Sequence, residues 1–231
     1  MMKHSSRYVL LLALAACSSS ASAPQPKDKD MPAAPAAAKP PTLAVTAMEK
    51  LGSAPSGFGL EVGAMAPDAT LPDVTSTPRQ LAALYREGPT FVVFYRGGWC
   101  PFCNMQLHQL AEAMPQFAQH GFKIVAISVD LPSEEAKTQA KHGVPFPMLS
   151  DSDLTAHKAF HVVHPAGDQE SNPKFAAMLE QYSGQQHHAY AVASIFLVDR
   201  DGKVLWRHVD EDYKTRPSAA QLLDVAAHLK M

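Results

Sequence analysis

Cys100 and Cys103 are the residues of this sequence best suited to covalent chemistry. They form a C-x-x-C pair that directly follows an apolar run, residues 90–96, whose β-branched and aromatic side chains predict a buried strand. The pair is therefore expected where a strand ends and a helix begins. Unpaired N–H groups and the positive end of the helix dipole favour a thiolate at such a position. Cysteines of this spacing have pKa values from roughly 3.5 to 7.5, below the ordinary value of about 8.5, so the sequence predicts a thiol-based redox site.

The two cysteines are expected to have different roles. Cys100 lies at the very start of the predicted helix, so we expect its thiolate to attack a peroxide oxygen or a disulfide sulfur. A peroxide would leave a sulfenic acid on Cys100, and Cys103, one helical turn away, would condense with it to an internal disulfide. A thioredoxin-like or glutathione-type thiol donor must then reopen that bond. Pro101 fixes the helical φ and withholds one N–H donor, and Trp99 is expected to shield the pair from water.

Two other interpretations of the pair are two inert buried thiols or half of a zinc site. Zinc prefers four ligands, and the sequence has no second cysteine pair. A zinc site would need histidines from two candidate groups, one at helical spacing and one adjacent pair: His157, His161, His164, His187 and His188. Solvated or core-packed histidines are the favoured interpretation, as is redox chemistry for the cysteines. We therefore predict neither a metal nor a cofactor.

The overall composition limits the class of protein. The length of 231 residues suits one domain with an appendage, and the net charge of −2 arises from intermixed signs. No basic surface for nucleic acid is expected, so the partners should be small molecules or proteins. Only three cysteines occur, and Cys17 lies in a segment that resembles a removable leader. The predicted folded part therefore contains Cys100 and Cys103 alone.

The N-terminus has the three parts of an export signal, namely two basic residues, an apolar stretch at 8–16 and small residues after it. The run Leu14-Ala15-Ala16-Cys17 resembles the lipobox of bacterial lipoproteins, which implies cleavage and acylation at Cys17. An ordinary secretory signal cut nearby is the alternative. Ser18 after the cysteine is similar to lipoproteins passed on to the outer membrane. We therefore expect a lipid anchor in the bacterial cell envelope, at the outer membrane on its periplasmic side.

Beyond the signal, the sequence divides into a tether and a domain. Residues 18–57 are rich in Ala, Pro, Ser and Lys and predict a disordered tether, whereas 58–231 predict one folded domain. Two apolar strands separated by a helix indicate a parallel pair with a right-handed crossover, and a later strand pair indicates an antiparallel hairpin. The fold class is therefore α/β, with a mixed central sheet and helices on both faces. The predicted elements are strands at 90–96 and 122–129, a helix from Ser133, hairpin strands at 194–198 and 203–209, and a last helix from Ser218.

A long polar stretch from His164 to His188 surrounds a short helical piece, 174–182. Such a stretch covers an active site, forms a contact in a homodimer, or is a surface insertion. The surface insertion is slightly favoured.

Several segments in order resemble one known family. The sequence is similar to the thioredoxin fold, and within it to peroxiredoxin-like proteins of the alkyl hydroperoxide reductase and thiol-specific antioxidant family. The resemblance rests on VGAMAPD at 62–68 with LPD at 71–73, YRGGWCPFC at 95–103, VPFPMLSD at 144–151, FLVD at 196–199 with DG at 201–202, and WRHVDEDY at 206–213. It implies a thiol peroxidase acting on hydrogen peroxide or organic hydroperoxides.

Three positions depart from the patterns of the thioredoxin superfamily. A typical peroxiredoxin has Pro and Thr or Ser seven and three positions before its reactive cysteine, where this sequence has Val93 and Gly97, and an Arg at the position of Ala193. Arg96 is the candidate replacement for the missing positive charge. Ordinary thioredoxins have a cis-proline before the late strand, and 191–193 contains none. The missing helpers favour an alternative function, a thiol–disulfide oxidoreductase of the envelope that acts on protein disulfides. A third interpretation is a non-enzymatic binding module.

Overall fold

The computed structural model describes residues 43–55, 57–167 and 172–229. The described residues lie in one compact unit. The predicted signal, Cys17 and the tether up to residue 42 lie outside them. Within the described part of the chain, no helix combines the length and the apolar character needed to cross a membrane.

A five-stranded mixed sheet forms the centre of the domain, in the order β10-β9-β4-β5-β6. Its strands are β4 (Thr90–Phe94), β5 (Lys123–Ser128), β6 (Met148–Ser150), β9 (Ala193–Val198) and β10 (Val204–Asp210). β4, β5 and β6 are parallel, while β9 runs antiparallel to both β4 and β10. The predicted parallel pair, the antiparallel hairpin and the α/β class are confirmed.

Helices cover both faces of this sheet. Successive residues of β4 point to opposite faces, so Val92 and Phe94 enter one core while Phe91 and Val93 enter the other. The first core contains residues of α1 (Leu81–Glu87) and α4 (Thr155–Ala159). The second contains residues of α2 (Pro101–Gln119) and α6 (Ala219–His228), together with both cysteines of the pair. The redox pair is thus part of a packed helix–sheet interface.

The predicted last helix begins with a complete capping box. The Ser218 hydroxyl accepts from the Gln221 N–H at 3.2 Å, and the Gln221 side chain accepts from the Ser218 N–H at 2.9 Å. This reciprocal pair satisfies two N–H groups at the helix start. It fixes the residues just before α6, which reach the redox site. The remaining elements are β2 (Thr70–Pro72), β3 (Pro78–Gln80), α3 (Pro132–His142), β7 (Val163–Pro165), α5 (Pro173–Ser183), β8 (Ala189–Ala191) and β11 (Thr215–Arg216).

The predicted boundary between tether and domain is wrong for the described residues before 58. Residues 44–45 form a short strand, β1 (Ala44–Val45), which pairs in parallel with β11, and a 3-10 helix follows at Met48–Lys50. The Ala- and Pro-rich composition of 18–57 assigned this segment to the tether, whereas its order involves pairing with a strand more than 160 residues later in the chain. Two contacts with β10 continue the attachment, since the Val209 N–H donates to the Ser53 carbonyl at 2.9 Å and His208 contacts the Lys50 carbonyl at 3.3 Å.

Candidate active site

The C-x-x-C pair lies where β4 leads into α2, as the sequence predicts. Cys100 is the N-cap residue of α2, and Pro101 occupies the first helical position, where its missing N–H costs nothing. Gly97 and Gly98 connect the strand to the helix. Gly97 has a φ of +140°, and a Cβ there would lie 2.7 Å from the Asp130 carboxylate and would also overlap the Trp99 indole nitrogen. A Thr or Ser at this position would therefore require the loop or the Trp99 and Asp130 side chains to shift.

Both sulfurs are buried and act as a coupled pair. The pKa of the Cys100 thiol is lowered to about 6, first because the Cys103 side chain donates a hydrogen bond to it. The Cys103 backbone N–H and the guanidinium groups of Arg216 and Arg96 lower it further, and together they outweigh the effect of burial. Burial and the neighbouring sulfur hold the pKa of Cys103 well above its usual range. At neutral pH the pair therefore shares one proton, which lies on Cys103, and the negative charge lies on Cys100.

Arg96 lies beside the pair, and three aromatic rings surround it. Its guanidinium carbon lies 4.7 Å from the Trp99 ring, 4.6 Å from Tyr190 and 4.0 Å from Tyr213, and the residue is 7% exposed. Cation–π contact with the rings offsets part of the desolvation of this charge. Within the described residues Arg96 has no salt bridge to a carboxylate. The Cys100 thiolate is thus the anion that raises the pKa of Arg96 against the effect of burial.

One residue of the 164–188 stretch and one residue just after it pack against Trp99, the residue before Cys100. Phe175 of α5 and Tyr190 of β8 each pack edge-on against Trp99, with ring centroids 5.6 Å away. The stretch is therefore more than the surface insertion that the sequence favoured. Trp99 itself is half-buried and forms the middle of this aromatic cluster. Both sulfurs are fully buried, so a reagent reaches Cys100 only when neighbouring side chains move.

Arg216 is a site residue that the sequence analysis missed. It is 3% exposed, and its Nη2 donates to the Cys103 sulfur at 3.3 Å. Its Nη1 donates to the Gln106 side chain at 2.6 Å, and its Nε donates to the Tyr213 carbonyl at 2.7 Å. Three directed hydrogen bonds therefore fix the orientation of this guanidinium. The one sequence signal was its place between the resembling segment 206–213 and the cap of the last helix.

A buried acidic network lies behind the pair and was also missed. Glu135 accepts from the Tyr95 hydroxyl at 2.5 Å and from the Ser128 hydroxyl at 2.7 Å, and burial holds its pKa well above the usual range. The Ser128 oxygen in turn accepts from the Asp130 N–H at 3.0 Å. Asp130 accepts from the Gly98 N–H at 2.6 Å, and burial raises its pKa to about 7. The network thus connects the interior to the loop that leads to Cys100.

Four buried polar atoms near this loop have no hydrogen-bond partner among the described residues. Two are donors, Arg96 Nε and Trp99 Nε1, and two are acceptors, Asn104 Oδ1 and Asp130 Oδ1. Buried polar groups are nearly always paired, so each of these atoms keeps a hydrogen-bonding capacity that the described side chains do not use.

The candidate metal histidines do not converge. In the described part of the chain, no three His, Cys, Asp or Glu side chains are placed to hold a metal ion. His157 is buried and its Nδ1 contacts Asp151 at 2.5 Å, while His164 stacks on Tyr190 with ring centroids 5.1 Å apart. These contacts account for two of the histidines by packing and pairing.

Comparisons with known proteins agree with this geometry. The profile of the AhpC/TSA family matches residues 62–207. Peroxiredoxin Bcp of Escherichia coli K12 is 28% identical over 68% of this chain and 88% of its own. A Mycobacterium tuberculosis protein, Rv2521, provisionally named a peroxiredoxin, is 31% identical over 63% of this chain and 83% of its own. The crystal structure of peroxidoxin BcpB from the same organism covers 75% of this chain and 99% of its own, with 24% identity and a TM-score of 0.58. The chain therefore belongs to the AhpC/TSA family and is a thiol peroxidase of the peroxiredoxin type.

Proposed function

We propose that this protein reduces hydrogen peroxide or organic hydroperoxides through Cys100, with Cys103 as the resolving thiol. The Cys100 thiolate attacks one peroxide oxygen, the O–O bond breaks, and the alcohol or water leaves with a proton while Cys100 becomes a sulfenic acid. The Cys103 sulfur then attacks the Cys100 sulfur, a disulfide forms, and water leaves. A dithiol donor returns two electrons and two protons and restores both thiols.

The single observation that carries this proposal is the shared proton of the pair. A hydrogen bond from the Cys103 thiol to the Cys100 sulfur lowers the pKa of Cys100 to about 6, so the nucleophile is ionised at neutral pH. The same contact places the resolving sulfur beside the atom that becomes oxidised. Deprotonation and resolution thus need one arrangement and no large movement of α2.

Arg96 and Trp99 take the place of the missing family helpers in this proposal. The unpaired Arg96 Nε and Trp99 Nε1 supply N–H donors near Cys100, where a typical peroxiredoxin has its hydroxyl and its arginine. Donors aimed at the leaving oxygen stabilise the negative charge that develops there. Pro101 supports the site indirectly, because it fixes the first turn of α2 beneath both sulfurs.

The alternative function, exchange with protein disulfides, has one observation in its favour, the C-x-x-C pair at a helix start. Burial of both sulfurs argues against it, because a protein disulfide needs a much larger displacement of the surrounding side chains than a peroxide does. A non-enzymatic module does not explain a thiolate placed beside two guanidinium groups. We therefore retain the peroxidase as the leading function.

The test compares two matched cysteine variants of the full chain. Cys100→Ser should abolish peroxide consumption with a thioredoxin-type donor. Cys103→Ser should still react once with peroxide and stop at a Cys100 sulfenic acid, which dimedone traps and mass spectrometry locates. Peroxide reduction that survives Cys100→Ser, or oxidation that appears first on Cys103, contradicts the assignment. Slow peroxide reaction together with fast reduction of insulin disulfides would favour the oxidoreductase instead.

We also propose that Cys17 carries the lipid anchor and that the domain faces the periplasm from the outer membrane. The support is the signal-like N-terminus with its lipobox-like run. In a bacterial host, the full chain should incorporate labelled palmitate and fractionate with outer membranes, and Cys17→Ser should lose both properties. Unlabelled protein in the soluble fraction would refute the anchor.

A further inference from the structure

The strand that carries Arg216 is held by the N-terminal segment. β11 has two residues, and its strand partner among the described residues is β1, with Ala44 opposite Thr215 and Val45 opposite Arg216. The Ala44 N–H donates to the Lys214 carbonyl at 3.1 Å. This pairing is the strand-to-strand attachment of β11 among the described residues, beside the hydrogen bonds that Arg216 makes through its side chain. The position of Arg216 therefore depends on residues more than 160 positions earlier in the chain.

A second contact fastens the same segment to the start of α6. The Gln221 side chain donates to the Thr46 carbonyl at 2.9 Å, and Thr46 is 1% exposed. Gln221 also completes the capping box with Ser218, two residues after Arg216. The segment therefore contacts the chain on both sides of the arginine.

The far end of Arg216 contacts the resolving sulfur. Its Nη2 lies 3.3 Å from Cys103 Sγ, and Gln106, one turn further along α2, holds Nη1. A guanidinium presents its donors in a rigid plane, so a shift of its backbone moves the donor that faces the sulfur. The charge of Arg216 lowers the pKa of both sulfurs. Its effect on the pKa of Cys100 is larger than the effect of Arg96.

We propose that residues 44–46 are a positioning element of the redox site, which holds the guanidinium of Arg216 against Cys103 by pairing with β11. The importance of this element for peroxide reduction rests on the proposed function. The contact between residues 44–46 and β11 does not depend on the substrate. It gives a role in the reaction to a segment whose composition resembles a tether. Residues 44–46 act through Arg216 and touch neither sulfur directly.

The experiment uses two proline variants three residues apart in the full chain. Ala44→Pro removes the N–H that donates to Lys214, whereas Ala47→Pro falls at an exposed residue whose φ of −59° already suits proline. The readout is the pKa of Cys100, measured from thiolate absorbance and from the pH dependence of alkylation by iodoacetamide. Ala44→Pro should raise this pKa and slow alkylation at pH 6 by about twofold, with no such effect from Ala47→Pro. Thermal unfolding of both variants separates this result from general destabilisation.

A double-mutant cycle tests whether the effect passes through Arg216. Arg216→Gln removes a charge close to the sulfurs and should raise the pKa of Cys100 by about one unit, which slows alkylation at pH 6 roughly fivefold. In that background Ala44→Pro should add nothing. If the glutamine variant does not fold, Arg216→Lys supplies a second background, which keeps the charge but lacks the planar fork that Gln106 and Tyr213 hold, and there Ala44→Pro should have a smaller effect than in the wild type.

Two results would overturn the inference. One is an unchanged Cys100 pKa in Ala44→Pro, and the other is an equal shift in the presence and absence of Arg216. Because alkylation needs no peroxide, the outcome is separate from the proposed function. If the wild-type protein has a low Cys100 pKa but fails to reduce peroxide, the peroxidase proposal is contradicted. The double-mutant cycle on the pKa of Cys100 can still be interpreted in that case.

Discussion

Asp130→Asn should stabilise the reduced protein increasingly as the pH rises. Asp130 is fully buried, and burial raises its pKa to about 7 although the Gly98 N–H donates to it. In the unfolded chain the same carboxyl has a pKa of about 3.9. Between about pH 3.9 and about pH 7 the folded state therefore keeps a proton on Asp130 that the unfolded state has lost. The free energy of unfolding falls as the pH rises through this range. Asparagine cannot ionise, so the variant lacks this loss.

The magnitude follows from the two pKa values. A difference of about three units corresponds to a full ionisation cost of about 4 kcal/mol above pH 7. Part of that cost is already present at pH 5, because the unfolded carboxyl is largely ionised there. The advantage of Asp130→Asn over the wild type should therefore grow by roughly 2 to 3 kcal/mol between pH 5 and pH 8. Any fixed effect of altered hydrogen bonding at Gly98 is present at both pH values and cancels in this comparison.

The assay is urea unfolding of both proteins at pH 5 and pH 8, with the cysteines kept reduced. Asp201→Asn is the matched control, since Asp201 is exposed in the turn before β10 and the same substitution there removes no buried carboxyl. An Asp130→Asn difference that stays flat with pH would refute the claim that this carboxyl is desolvated beneath the Gly97–Gly98 loop. If the advantage of Asp130→Asn over the wild type instead grew toward low pH, the pH dependence would have the opposite sign, and the claim would be refuted as well.

Three further predictions concern the sulfurs and the aromatic rings around Trp99. Cys103→Ala should raise the pKa of Cys100 from about 6 by at least about one unit, because the Cys103 side chain is the largest cause of the lowering. Cys103→Ser should raise it by less, because serine keeps a hydrogen-bond donor. Thiolate absorbance as a function of pH measures both pKa values. Trp99→Phe should slow the reaction with peroxide about tenfold, which corresponds to the free energy of one hydrogen bond, because it removes an N–H and keeps an aromatic ring. Alkylation by iodoacetamide should not slow. Equal slowing of both reactions would contradict this prediction. Phe175→Ala should speed alkylation of Cys100 several-fold, because it removes one ring that packs against Trp99. The pKa of Cys100 should not change, since the charges near it are unchanged. An unchanged alkylation rate would mean that α5 does not limit access to Cys100.

The part of the site that could be predicted from the sequence is the local part. A buried strand, a C-x-x-C pair and a proline at the first helical position lie within about fifteen residues, so periodicity and helix-start preferences were sufficient to place Cys100 at the start of α2. The hairpin and the last helix were predictable for the same reason.

The long-range part of the site could not be predicted. Arg216 contacts a sulfur 113 residues earlier in the chain, and the hydroxyl of Tyr95 finds Glu135 40 residues later. Glu135 looks like an ordinary acidic residue of a first helical turn, and nothing in its neighbours separates it from the more exposed Glu134. The N-terminal strand escaped prediction because two residues are too few to show a strand period and its partner, β11, lies far later in the chain.

Two buried guanidinium groups beside one thiolate also affect the energy of the disulfide. Arg96 and Arg216 both stabilise the ionised Cys100, and oxidation to a disulfide removes that negative charge from beside them. The reduced form is therefore favoured, as in other oxidants with a low-pKa cysteine. The full lowering of the pKa from about 8.5 to about 6, of which the Cys103 hydrogen bond is the largest cause, stabilises the reduced form at pH 7 by about 1.4 kcal/mol. This raises the reduction potential by about 30 mV. The arrangement that ionises Cys100 for attack on peroxide thus also makes the disulfide easier for a thiol donor to reopen, and the two guanidinium groups contribute to both halves of the catalytic cycle.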